Sequence, residues 1–170
     1  MELNRKDKWK SHVVAEAIMP VPKMCWWNSQ RALLGHEEAD GLYYVEGFLV
    51  QVDLPLPMEH GWLEEADGTV VDPTLPECDG SYFVAFRYSK NELIDLMKRY
   101  PSLEDVCNPA CFAVHGHGQW RTAAYWSAYV RANVACYGKQ ILEVMQLGDS
   151  DYVERVLQGE NLAPQSRKAV

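Results

Sequence analysis

Strand-forming residues are concentrated in the middle of the chain, in four segments separated by polar turns. The longest segment covers residues 42–52, and shorter ones lie around residues 60–63, 69–72 and 81–88. β-Branched and aromatic residues dominate these segments, as is typical of strands. Ala66-Asp67-Gly68 lies between the second and third segments and has the composition of a tight hairpin loop. We therefore expect an antiparallel sheet in this part of the chain.

Helices are predicted on both sides of these strands. The first covers residues 25–34, after two prolines and before Gly35, a residue that commonly ends helices. Ser89 and Glu92 have the spacing of a capping box, which predicts a second helix over residues 90–99.

The two ends of the chain differ in pattern. Residues 1–19 are predicted to be a polar lead-in with a short apolar piece at residues 13–19. Near the other end, apolar and aromatic residues recur every three or four positions over residues 122–145, the periodicity of an amphipathic helix, with Tyr137 on its packed face. A short helix is predicted at residues 152–157.

This order of elements predicts an α+β protein in which a cysteine-bearing helix packs on an antiparallel sheet and is followed by C-terminal helices. We expect residues 1–170 to form a single domain, with its core at residues 20–100 and a C-terminal helical part at residues 120–158. A chain of 170 residues is long enough to bury such a core.

Charge and composition narrow the possible partners and location. The net charge of −8 argues against binding to nucleic acid or to an anionic membrane, because both require a positive surface. The polar start has no signal-peptide pattern, and no run is long enough to span a bilayer, so a cytoplasmic location is expected. The five cysteines are then expected to be reduced thiols.

Cys25 is the first candidate for chemistry. A cysteine in the first turn of a helix lies where unpaired N–H groups and the helix dipole stabilise a thiolate. The alternative is that Cys25 is a small buried apolar residue, the common role of a free cysteine.

The predicted hairpin brings a histidine and an aspartate to one face of the sheet. With a three-residue loop, Trp62 lies opposite Asp72 and His60 opposite Thr74. His60 and Asp72 are then diagonal neighbours, about 7–8 Å apart at the backbone, which their side chains can bridge. A two-residue Asp67-Gly68 loop would place them on opposite faces instead.

These three residue types together favour nucleophilic catalysis. An imidazole converts a neighbouring thiol to a nucleophilic thiolate, and a carboxylate holds that imidazole in the correct tautomer. The sequence thus predicts Cys25 as nucleophile, His60 as base and Asp72 as the residue that orients it. The alternative is that His60 is a packed strand residue and that Asp72 belongs only to a turn.

The same segment resembles the transglutaminase-like and papain-like superfamily of cysteine enzymes. His60-Gly61-Trp62-Leu63-Glu64, Asp67-Gly68 and Val71-Asp72-Pro73-Thr74 follow the transglutaminase-like pattern His-Ala-Trp-x-Glu, Asp-Gly and Val-Asp-Pro-Thr. The motifs Cys-x-x-Asn at residues 25–28 and Val-Glu-Gly at residues 45–47 resemble motifs of small bacterial and phage proteins. The resemblance covers roughly residues 23–88. It implies the fold of that superfamily, with Cys25, His60 and Asp72 as its triad.

Five further residues are candidates for supporting the substrate or the oxyanion, beside the backbone N–H of Cys25. Glu46 is a candidate for supporting the triad residues, while Trp26 and Trp62 are candidates for excluding water from the site. Core packing is the alternative for both tryptophans. The candidates are Trp26, Asn28, Gln30, Glu46 and Trp62.

A second motif raises the question of metal binding. Cys107, Cys111, His115 and His117 form C-x3-C-x3-H-x-H, and two thiolates with two imidazoles can hold tetrahedral zinc. This spacing differs from that of common zinc fingers, and a turn-rich loop is the alternative. Apart from this zinc hypothesis, no cofactor is expected.

Three functions remain open from the sequence. The first is a cysteine-dependent acyl-transfer enzyme that hydrolyses or transamidates an amide bond in a protein, a peptide or a small molecule. The second is a catalytically inactive binding or inhibitor protein that keeps the same fold. The third is a structural zinc protein.

Overall fold

The computed structural model describes residues 4–99, 122–141, 150–160 and 162, which form a mixed α+β structure. The elements in chain order are α1 (Lys8–Ile18), α2 (Cys25–Gly35), a short 3-10 helix (Glu37–Ala39), β1 (Tyr43–Gln51), β2 (Met58–Glu64), β3 (Val70–Val71), β4 (Gly80–Tyr88), α3 (Lys90–Arg99), α4 (Ala123–Tyr137) and α5 (Ser150–Leu157).

The four strands form one antiparallel sheet in the order β3-β2-β1-β4. β3 pairs with β2 through Leu63 opposite Val71 and Glu64 opposite Val70. Glu65 N donates to Thr69 O at 2.9 Å, which continues the pairing by one residue and leaves a three-residue loop, Ala66-Asp67-Gly68. Gly68 ends this loop with a φ of 84°, in the left-handed region. The predicted three-residue loop and its register are therefore confirmed.

One face of the sheet carries the helices. Tyr44 belongs to a buried cluster with residues of α1, α2 and α3. Phe48 and Val50 follow on the same face of β1, because side chains alternate along a strand, and they pack on α4 through Ala128 and Ala132. The cysteine-bearing helix α2 and the C-terminal helix α4 consequently cover two ends of one face.

The opposite face is closed by loop and N-terminal residues. Trp62 and Tyr82 form its buried cluster together with valine and leucine side chains from β1 and β3. Leu75 and Cys78, from the segment after β3, pack over this cluster.

The N-terminal segment is part of the fold. Residues 5–7 run parallel to β3, with Val70 N donating to Arg5 O and Asp7 N donating to Val70 O, both at 2.9 Å. Asp7 then caps α1 by accepting from Lys10 N at 2.8 Å. The predicted polar lead-in over residues 1–19 is thus wrong for residues 8–18, which are helical. The sequence pattern did not predict this helix because Ser11 and Ala15, which lie on its buried side, are not strongly apolar.

The other predicted helices are present, but the helix predicted over residues 122–145 is interrupted, because α4 ends at Tyr137 and residues 138–140 are not helical. The capping box before α3 is formed, since Ser89 Oγ and Ser89 N both donate to Glu92 Oε2 at 2.7 and 2.8 Å. α4 begins after Thr122 and ends before Gly138, whose φ is 75°. Tyr137 is 39% exposed and so does not lie on the packed face. Residues 142–145 of the predicted long helix lie outside the described residues.

No helix in the described part of the chain has both the length and the apolar character needed to cross a bilayer.

Candidate active site

Cys25 is the first residue of α2 and is half-buried. The residue before it, Met24, provides no side-chain cap for the helix. The approach to the helix is fixed from within α2, because Asn28 Oδ1 accepts from Val21 N at 2.9 Å and Asn28 Nδ2 donates to Val21 O at 2.8 Å. Lys23, two residues before the cysteine, has a φ of 66°, a strained value for a residue with a side chain. Cys25 therefore stands at an uncapped helix start whose backbone is held in a defined path.

The first turns of α2 lie directly on β2. Ser29 Oγ donates to Gly61 O at 3.1 Å. A Cβ atom at Gly61 would lie 2.6 Å from Trp26 Cδ1 and 3.1 Å from Trp26 Cα, so only glycine allows this approach. Cys25 and His60 directly precede Trp26 and Gly61 in the chain, so the contact between Trp26 and Gly61 lies next to both of them.

His60 and Asp72 form a buried hydrogen bond. His60 Nε2 lies 2.7 Å from Asp72 Oδ2, with His60 5% exposed and Asp72 fully buried. Cys25 is the further neighbour whose interaction raises the pKa of His60. Because Nε2 is engaged with the carboxylate, Nδ1 is the ring nitrogen that remains for this thiol. The structure therefore joins His60 to Asp72 by a hydrogen bond and places Cys25 close enough to influence the imidazole.

Asp72 has further donors on both oxygens. Oδ1 accepts from the backbone N–H groups of Thr74 and Leu75 at 3.0 and 3.1 Å, and Oδ2 accepts from Tyr82 Oη at 2.9 Å. Thr74 also ties this turn to α2, because Asn28 Nδ2 donates to Thr74 Oγ1 at 3.1 Å. The carboxylate is thereby oriented from three directions.

The pKa values of His60 and Asp72 are both shifted in the direction that favours opposite charges on the two groups. Burial lowers the pKa of His60, but the Asp72 charge and hydrogen bond, with those of Cys25, outweigh it and raise the pKa to about 10. Burial alone would raise the pKa of Asp72, yet the charge and hydrogen bond of His60 and the charge of Lys6 hold it below its usual value. The imidazole is therefore protonated and the carboxyl ionised at neutral pH.

Trp62 packs against the histidine ring. The two rings stack with centroids 6.2 Å apart and planes 14° from parallel. Trp62 is fully buried, and its indole N–H donates to Glu64 Oε1 at 3.1 Å. Trp62 accordingly shields the imidazole from water on one side.

The other supporting candidates have different surroundings. Both amide hydrogens of Asn28 are used by Val21 and Thr74, which leaves none for an oxyanion. Gln30 Nε2 donates to Tyr44 Oη at 3.0 Å, and Tyr44 Oη donates to the buried carboxylate of Glu46, so Gln30 and Glu46 belong to a polar network inside the core.

Trp26 is the remaining candidate. Its Nε1 is buried and has no hydrogen-bond partner among the described residues. Trp26 therefore carries a buried donor without a partner among the described residues, in the residue that directly follows Cys25.

The zinc hypothesis concerns residues that lie outside the described part of the chain, namely Cys107, Cys111, His115 and His117. Within the described ranges, no group of three or more His, Cys, Asp or Glu side chains is arranged to hold a metal ion.

Two residues of the site were not predicted from the sequence, Lys6 and Tyr82. Tyr82 follows from the alternation of β4 once the strand order is known, but the order itself is not local information. Lys6 lies 76 residues from Tyr82, and no pattern in the sequence connects the two. No protein-family model, curated protein or solved structure matches this chain, so the site is interpreted from its own geometry.

Proposed function

We propose that this protein is a cysteine-dependent acyl-transfer enzyme with a transglutaminase-like or papain-like core and a Cys25-His60-Asp72 triad. The observation that carries the proposal is the position of His60, which has a buried carboxylate 2.7 Å from Nε2 and lies close enough to the helix-opening Cys25 for that residue to raise its pKa. This is the arrangement that nucleophilic thiol catalysis requires.

The reaction proceeds in two halves. The thiolate of Cys25 attacks the carbonyl carbon of an amide, and a C–S bond forms as the π electrons move to oxygen. When the C–N bond breaks, protonated His60 gives its Nδ1 proton to the leaving amine, which departs as the neutral molecule. A thioester on Cys25 remains. Water or a second amine then attacks this thioester, His60 takes up the released proton, and the thiolate leaves.

The oxyanion formed during attack requires donors beside the sulfur. The backbone N–H of Cys25 belongs to the first turn of α2, where N–H groups have no partner within the helix. The unpartnered indole N–H of Trp26 is the side-chain donor that we assign to the same role. Asn28 is assigned to positioning, because its amide hydrogens hold the loop before Cys25 and the turn after Asp72.

The test is the rate of alkylation of Cys25 by iodoacetamide between pH 5 and 9, read by mass spectrometry so that the other four cysteines, Cys78, Cys107, Cys111 and Cys136, are counted separately. An ordinary thiol is almost entirely protonated at pH 6, so a thiolate held by an imidazolium should react on the order of a hundred times faster there. His60→Ala should remove that advantage. His12→Ala is the matched control, because His12 is an exposed histidine paired with Glu77.

A Cys25 that reacts like a cysteine in a peptide and ignores the His60→Ala change would overturn the proposal. That result would favour a binding or inhibitor protein that keeps this fold without catalysis.

A further inference from the structure

The row of polar groups does not end at Asp72. Tyr82 Oη lies 2.9 Å from Asp72 Oδ2, and Lys6 Nζ lies 3.1 Å from Tyr82 Oη. Lys6 comes from the N-terminal segment that runs beside β3. We propose that Lys6 and Tyr82 are positioning residues that keep Asp72 ionised and aimed at His60.

The direction of each hydrogen bond follows from the chemistry of the groups. An ammonium can only donate, so Tyr82 Oη must accept from Lys6. A phenol has one proton, and Tyr82 is therefore left to donate that proton to Asp72. Lys6 is fixed in this position because it also donates to Leu75 O at 2.6 Å and Cys78 O at 2.7 Å, which uses all three of its hydrogens.

The hydrogen-bond donors around Asp72 occupy the positions at which its carboxyl group could carry a proton. Four hydrogens point at its two oxygens, from Tyr82, His60 and the backbone of Thr74 and Leu75. A carboxyl proton would meet donors on every side and would have to displace one of them. The buried carboxylate is kept ionised by geometry as well as by charge.

Lys6 also balances the charge of the buried row. An imidazolium at His60 is compensated by Asp72, which leaves a thiolate at Cys25 as a second negative charge. The ammonium of Lys6 is the second positive charge, so the four groups together are neutral. Uncompensated charge in a buried site is costly, and this balance favours the ionised form of the whole row.

The titratable groups around Asp72 and its partners come from seven parts of the chain. They are Lys6 from the N-terminal segment, Lys8 from α1, Cys25 from α2, Asp53 from the loop between β1 and β2, His60 from β2, Tyr82 from β4, and Cys78 and Asp79 from the segment after β3. Lys6 is the cation other than His60 that lowers the pKa of Asp72.

The experiment follows the carboxyl carbon of Asp72 by NMR between pH 2 and 7 in the full chain. Lys6→Met removes the charge, and Tyr82→Phe removes only the hydroxyl while keeping the ring that packs on Trp62 at 5.2 Å. We expect the Asp72 midpoint to rise by about one pH unit in Lys6→Met and to rise in Tyr82→Phe as well. Lys8→Met is the matched control, since Lys8 is a nearby lysine whose ammonium pairs with Asp79 at 2.9 Å.

The pH profile of Cys25 alkylation provides the second readout. When the profile is extended down to pH 3, its acidic limb should move to higher pH together with the Asp72 midpoint in Lys6→Met and Tyr82→Phe and stay in place in Lys8→Met. A purely structural effect would lower the rate at every pH without moving the limb.

The catalytic consequence of this inference rests on the proposed function, but the two fail separately. An Asp72 midpoint that stays at the wild-type value in folded Lys6→Met and Tyr82→Phe would overturn the role of these residues, however reactive Cys25 is. An unreactive Cys25 in the wild-type protein would overturn the proposed function and leave the NMR result to decide on Lys6. If Lys6→Met does not fold, Tyr82→Phe decides alone.

Discussion

At Gly61 the backbone of β2 comes so close to α2 that no side chain fits between them. The transglutaminase-like pattern has alanine at this position, and the exchange would be considered conservative from the sequence. The structure gives it a physical reason, because one methyl group would overlap Trp26 at 2.6 Å from Cδ1. Trp26 follows Cys25 directly, so this contact bears on the position of the thiol.

Gly61→Ala is therefore expected to destabilise the protein by about 1–3 kcal/mol, the usual cost of an extra methyl group in a packed interior. It should also slow alkylation of Cys25 at pH 6, because the first turn of α2 must move away from β2. Urea unfolding and the alkylation rate measure the two effects. Gly35→Ala is the control, since nothing lies within 4 Å of its Cβ position and alanine favours a helix by up to about 1 kcal/mol. Equal stability of the two variants would contradict the tight contact.

The residues of the candidate site show how much of it could be predicted from the sequence. Cys25, His60 and Asp72 were identified because each lies at a position that local pattern defines, a helix start or a hairpin strand. The role of Asn28 could not be assigned from its type, since an amide beside a cysteine suits an oxyanion as well as it suits a loop. Only its partners, Val21 and Thr74, show that it holds backbone segments in place.

Among the elements, the β2–β3 hairpin has the largest influence on the site. Its register determines which face each side chain occupies, and the register depends on the loop at residues 66–68. Because this information is contained in a few consecutive residues, the pairing of β2 with β3 was predictable. The order β3-β2-β1-β4 was not, since it depends on contacts between segments distant in the chain.

Gly68 allows a direct test of the hairpin loop. Its φ is 84° and its Cβ position is open, so a substitution meets backbone strain without any steric overlap. Gly68→Ala should cost about 1–2 kcal/mol of unfolding free energy. Gly68→Asn should cost less, because asparagine tolerates the left-handed region better. Equal losses in urea unfolding for the two variants would argue against strain as the cause.

α1 shows why one element was missed. Its buried positions are spaced as in any amphipathic helix, but they include Ser11 and Ala15, whose types carry little apolar signal. Ser11 is buried because its hydroxyl accepts from Asp72 N at 2.9 Å and donates to Asp7 O at 2.7 Å. A polar residue used in this way is indistinguishable from a surface serine until its partners are known.

For the molecule as a whole, the buried row of charges predicts how stability depends on pH. The pKa of His60 is raised from 6.5 to about 10, so its contribution is complete below pH 6.5 and is lost as the pH rises toward 10. The pKa of Asp72 is lowered from 3.8, so its contribution is present above pH 3.8 and is lost as the pH falls below that value. The pair of His60 and Asp72 therefore stabilises the fold most between pH 3.8 and pH 6.5.

His60→Gln should remove the part of the pH dependence that lies between pH 6.5 and 10. The free energy of unfolding in urea, measured at half-unit steps of pH, should fall with rising pH in the wild-type protein and be flatter in this variant. His12→Gln should leave the slope unchanged, since His12 is an exposed residue. A wild-type protein that becomes more stable between pH 7 and 9 would contradict a charged His60.

The contact between Lys6 and Tyr82 has a consequence for the time course of folding. It joins residues 76 positions apart, whereas the β2–β3 hairpin and the start of α2 are formed by near neighbours in the chain. Contacts between distant residues are slow to form, because a large loop must close first. We therefore expect a newly synthesised chain to form the hairpin with His60 and Asp72 early and the contact of Lys6 with Tyr82 late. On the proposed function, Cys25 would then gain its full reactivity only after the N-terminal segment has joined the fold, which would protect an unfinished chain from alkylation.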